Sequence, residues 1–75
     1  MSDADLDRLR LAYKSAVDAW VDSIRAEEAL ATPDHSMTSM ERWDAAHFRE
    51  HDAHLKATEA REAYKDALRV VNYGI

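Results

Sequence analysis

The chain has no cysteine, one proline (Pro33) and one glycine (Gly74). Without cysteine there can be no disulfide and no thiolate metal site, and a reducing compartment suits the composition. With so few breakers, residues 2–32 and 38–72 contain nothing that interrupts a helix. No run approaches the roughly 20 apolar residues that span a bilayer. Bases are also scarce: ten Lys and Arg stand against fifteen Asp and Glu, a net charge of −5. Phosphate recognition needs clustered cations, so neither nucleic acid nor an anionic membrane surface is expected as a partner.

Catalytic signatures are missing as well. There is no glycine-rich phosphate loop and no nucleophile elbow. Ser15, Ser23 and Ser36 have no base and acid arranged around them. The reading is therefore of a protein that is not an enzyme, with no catalytic residue and no cofactor. The N-terminus, Met1-Ser2-Asp3-Ala4-Asp5-Leu6-Asp7, is acidic where a secretory signal is basic and then apolar. It is read as the start of a complete cytoplasmic protein.

What the chain does contain is helix. A first helix is predicted over about residues 3–31, capped by Ser2, with Asp3, Asp5 and Asp7 favouring the positive end of its dipole. Pro33 ends it, because the residue before a proline is driven out of the helical region. A connection over 32–37 leads into a second helix over about 38–72. There Thr38-Ser39-Met40-Glu41 has the spacing of a capping box and Gly74 that of a left-handed C-cap. The predicted fold is all-α: a single-domain, two-helix antiparallel hairpin.

Apolar periodicity suggests how the helices meet. One heptad seam runs through Leu6, Leu9, Tyr13, Ala16, Trp20, Ser23, Glu27 and Leu30, widened by Val17, Ile24 and Ala31. The other runs through Met40, Trp43, His47, Glu50, His54, Ala57, Arg61, Tyr64, Leu68 and Val71. Periods near 3.5 imply shallow, left-handed crossing. Folding at about Asp34 sets Glu27 opposite Met40, Trp20 opposite His47, Tyr13 opposite His54 and Leu6 opposite Arg61. In that register about 15 Å of the second helix, containing Leu68, Val71 and Tyr73, projects beyond Asp3.

Two helices cannot enclose a core, and short chains without disulfides commonly stabilise themselves by association. Phe48 and Leu55 form a second apolar surface, roughly opposite the small residues Ala46, Ala53, Ala57 and Ala60. The expectation is a homodimer forming a four-helix bundle, with Trp43, Phe48, Leu55, Tyr64, Leu68 and Val71 at the interface. Its expected role is that of a small interaction or structural protein, with a further protein partner docking on the outer face that includes Asp52, Lys56, Glu59 and Asp66.

One cluster does not fit a plain bundle. Spacings of four and three place His47, His51 and His54 in one sector of the second helix, flanked by Asp44 and Glu50. The bland reading makes these satisfied polar residues that fix register. A second reading makes Asp44, His47, Glu50, His51 and His54 metal ligands, since imidazole and carboxylate together suit divalent transition metals. The Asp44-Ala45-Ala46-His47 spacing resembles, over those four residues, the carboxylate-x-x-His motif of ferritin-like paired-metal bundles. Glu27 and Glu28 are further candidate carboxylates. Folding at Asp34, however, sets Ile24 and Trp20 opposite Asp44 and His47, so added acids come from a second protomer. A third reading is a pH-responsive dimer, since histidine changes charge between about pH 5 and 8.

Overall fold

The computed structural model describes residues 2–74 and contains two helices, α1 (Asp3–Ala29) and α2 (Met37–Tyr73), packed as an antiparallel hairpin. No strand occurs among the described residues, and none of their helices is long and apolar enough to cross a membrane.

Local chemistry sets the ends of the helices. The Ser2 hydroxyl accepts from the Asp5 N–H at 3.2 Å, while the Ser2 N–H donates to the Asp5 carboxylate at 3.3 Å, completing a capping box. The Ser2 backbone N–H, then its hydroxyl, hold the Asp5 carboxyl below the usual carboxylate range; Arg8 adds a smaller pull in the same direction.

At its other end α1 stops at Ala29, before the expected Ala31. The N–H groups of Leu30 and Ala31 bond three residues back, to Glu27 and Glu28, which tightens the last turn. The connection is then held by its own side chains. Thr32 Oγ1 accepts from the Asp34 N–H, and Asp34 accepts from both the N–H and the hydroxyl of Ser36.

That arrangement changes the cap of α2. Ser36, not Thr38, is the N-cap residue and accepts from the Ser39 N–H at 3.2 Å. Thr38 and Glu41 therefore lie inside the helix rather than at its boundary. Asp34 accepts the Ser36 hydroxyl proton and leaves its oxygen to accept from the Ser39 N–H, a local preference that the Thr38–Glu41 spacing does not reveal. Gly74 ends α2 with φ 72° and ψ 20°, its N–H bonded to the Val70 carbonyl.

The packing face of α1 follows the predicted seam, except that Ile24 and Ala31, expected to widen it, are exposed. Leu6, Leu9, Tyr13, Ala16, Val17, Trp20, Ser23, Glu27 and Leu30 are all half-buried. In α2 the face is turned toward the alanines. Ala46, Ala57 and Ala67 are the buried residues, and Glu50, Ala53, Ala60 and Tyr64 between them are half-buried. Of the seam expected there, Met40, Trp43, His47, His54, Arg61 and Val71 are exposed. Alanine lets the helix axes approach and leaves room for the Trp20 indole. Histidine or arginine at those positions would hold the helices apart and desolvate polar groups.

The register also differs from folding at Asp34, by about one heptad. Glu27 lies beside His47, and Trp20 reaches Glu50 and His54. The surplus length of α2 consequently falls at the connection. Leu30, Thr32 and His35 share a groove with Met40 and Trp43 on the first turns of α2. The expected ten-residue overhang at the other end is not formed, since Ala67 is only 3% exposed. The molecule is a rod of 55 × 17 × 12 Å with a radius of gyration of 17.1 Å. A compact chain of this length would have about 11 Å.

Candidate functional site

The ion pairs Arg8–Asp5, Arg10–Asp7, Lys56–Asp52, Lys65–Glu62 and Arg69–Asp66 each lie within one helix and on its surface. Such pairs support helices weakly and say nothing about how two helices meet. Polar contact between α1 and α2 is concentrated in the half of the hairpin nearer the connection.

There the Trp20 indole N–H donates to Glu50 Oε1 at 2.7 Å. The face of the same indole stacks on the His54 ring, with centroids 4.4 Å apart and planes 21° from parallel. One turn closer to the connection, His47 Nδ1 lies 3.5 Å from Glu27 Oε1. Glu27, His47 and Glu50 each present one potential ligand atom, and these atoms all fall within 4.8 Å of one another. The two glutamates are half-buried and His47 is exposed, so the group sits at the edge of the helix contact.

The helices position these groups for simple reasons. His47 and Glu50 are three residues apart and share a face of α2. Glu27 lies two turns beyond Trp20 on α1, so the same edge of α1 that delivers the indole to Glu50 delivers a carboxylate to His47. Ser23, between them, turns its hydroxyl back to the Trp20 carbonyl at 2.6 Å and leaves the contact to the longer side chains.

Of the five ligands inferred from sequence, His47 and Glu50 enter this group. Asp44 lines the groove at the connection, His54 is engaged with Trp20, and His51 is exposed. Glu27 comes from the same chain, which corrects the expectation that acids from α1 would have to be supplied by a second protomer. Trp20 was legible only as a core aromatic. Its polar contact with Glu50 depends on the register, which heptad spacing alone leaves free by a whole repeat.

Two flanks of the rod differ in character. On one, Tyr13 and Val17 of α1 border His54, Thr58 and Arg61 of α2; helical spacing puts exposed Val21 and Ile24 on the Val17 side of α1 and exposed Trp43 on the Arg61 side of α2. On the other, Ala12, Ser15, Ala16 and Ala19 face Ala53 across a shallow groove closed by Asp52 and Lys56. Phe48, 71% exposed, and Leu55 occupy the ridge of α2 turned away from its alanine face.

Compared with protein-family models, curated proteins and solved structures, the chain matches none.

Proposed function

We propose that this chain is a small cytoplasmic interaction or structural protein without catalytic activity. It works as a homodimer in which two hairpins pack as a four-helix bundle. The observation that carries this reading is the mismatch between what is buried and what is exposed. Among the described residues no large side chain is fully buried, whereas eleven large apolar side chains stay exposed, including Ile24, Trp43 and Phe48.

Area points the same way. The chain exposes 5732 Å², about 1,000 Å² more than a compact monomer of its mass. A standard interface removes about 800 Å² per partner, so one such contact would bring the chain close to ordinary surface area. The flank with Val21, Ile24 and Trp43 draws on both helices and is the one that would form a bundle. Packing there covers apolar surface while the acidic outer face of α2, with Asp52, Glu59 and Asp66, stays in water. Phe48 and Leu55, which the sequence reading places at the dimer interface, lie on that outer face and in this arrangement would be available to a further protein.

Sedimentation equilibrium across a concentration series tests the reading. The expected result is a species of twice the 8.6 kDa chain mass, with a melting temperature that rises with concentration. A monomer at every concentration, melting at one temperature, would overturn it.

A further inference from the structure

We propose that Glu27, His47 and Glu50 form a binding site for one divalent transition-metal ion of the zinc class, built within a single chain. The inference does not rest on the dimer, because all three ligands belong to one hairpin.

The argument begins with spacing. His47 Nδ1 and Glu27 Oε1 are 3.5 Å apart. A charge-assisted hydrogen bond between imidazole and carboxylate would close to about 2.7–2.9 Å. Two ligand atoms each about 2.0–2.1 Å from a tetrahedral ion are instead separated by about 3.3 Å. The pair thus stands near the separation of co-ligands and too far apart for a good direct bond. A Glu50 oxygen completes the set within 4.8 Å, and His47, the exposed member, is free to turn its ring toward the two half-buried carboxylates.

Charge gives a second, independent argument. Glu27 and Glu50 bring two half-buried carboxylates together. Among the described residues neither forms an ion pair with lysine or arginine. A divalent cation compensates that charge where it stands.

Orientation gives a third. The Trp20 N–H donates to Glu50 Oε1 at 2.7 Å and so fixes the orientation of the carboxylate. An outer hydrogen bond of this kind is how metal sites aim their ligands. One imidazole and two carboxylates suit zinc and its first-row neighbours better than magnesium or calcium, which take oxygen alone. Three protein ligands leave a coordination position for water.

The test is titration of the full chain with zinc, followed by native mass spectrometry, and with cobalt, followed by visible absorption. The expected result is one ion per chain, stripped by chelator, with the cobalt spectrum of a low-coordinate nitrogen–oxygen site. His47→Gln and Glu50→Gln should each lower the apparent affinity at least tenfold. Glu50→Gln keeps an acceptor for Trp20, and His47 is exposed, so both variants should retain the wild-type helical content by circular dichroism. Trp20→Phe should weaken binding about tenfold through loss of the orienting bond. His51→Gln, which alters an exposed histidine outside the group, should bind as wild type. The proposal is overturned by absence of saturable binding at one ion per chain. It is overturned equally if His47→Gln binds as tightly as wild type, which would assign the metal to other surface histidines.

Discussion

Trp20 of α1 donates its indole N–H to Glu50 of α2 at 2.7 Å, thirty residues away in sequence. This hydrogen bond joins the two helices directly, and it fixes their register where apolar contacts between alanines would tolerate sliding. Replacing Trp20 separates its two roles. Trp20→Phe keeps an aromatic face for His54 and deletes the donor, and should cost about 1 kcal/mol because Glu50, half-buried, can still reach water. Trp20→Ala removes the ring as well and should cost about 3 kcal/mol. Urea denaturation of the two variants measures the difference.

The alanine face makes a prediction opposite to the usual rule that more apolar surface stabilises. Ala57 is 4% exposed against α1. Ala57→Leu should push the helices apart and destabilise the chain by about 1–3 kcal/mol. Ala63→Leu, at an exposed position of the same helix, should change stability by less than about 0.5 kcal/mol. Equal thermal denaturation of the two variants would show that the helices do not meet along the alanines.

Association should respond to Ile24, which is 40% exposed on the flank proposed for the dimer. Ile24→Asp places a charge where a partner chain would bury an apolar side chain. The variant should remain helical and sediment as a monomer at concentrations where the parent is a dimer. Phe48→Asp, on the opposite ridge, should leave the dimer intact. If Phe48→Asp dissociates the dimer and Ile24→Asp does not, the interface lies on the outer ridge of α2.

The N-terminal capping box is acid-sensitive with a defined sign. Asp5 is held below its usual range by the Ser2 N–H, then the Ser2 hydroxyl. The folded state therefore favours the ionised carboxylate, and the stability this adds is fully present above the unfolded value, near pH 4. It is lost as pH falls through the lower folded value. A carboxyl NMR titration should give Asp5 a midpoint below the ordinary aspartate value. In Ser2→Ala the hydroxyl is gone and the Asp5 midpoint should move upward.

The helices themselves were legible in the sequence because their causes are local. Ser2 and Gly74 act on neighbours within a few residues, and Pro33 constrains the residue before it. The α1 seam was legible too, since each of its apolar positions reports burial on the same side. The α2 seam was harder to read. Its larger residues His47, His54 and Arg61 repeat every seven positions, as Ala46, Ala53 and Ala60 do, one position removed. Met40, Trp43, Leu68 and Val71 extend the first line at its two ends, while close approach of two helix axes requires the second. The cap at Ser36 was hidden because it depends on Asp34 accepting the hydroxyl proton.

The sequence by itself determined that this chain forms two long helices with one short connection, carries no disulfide and leaves apolar surface uncovered. Those properties follow from composition and from interactions spanning about one helical turn. Only the tertiary structure decided which heptad of α1 faces which heptad of α2. It thereby decided that Glu27 meets His47 and Trp20 meets Glu50 within one chain. A heptad pattern repeats itself, so sliding by one repeat preserves every apolar match; polar contacts between specific atoms distinguish the alternatives, and these exist only once the two helices are side by side.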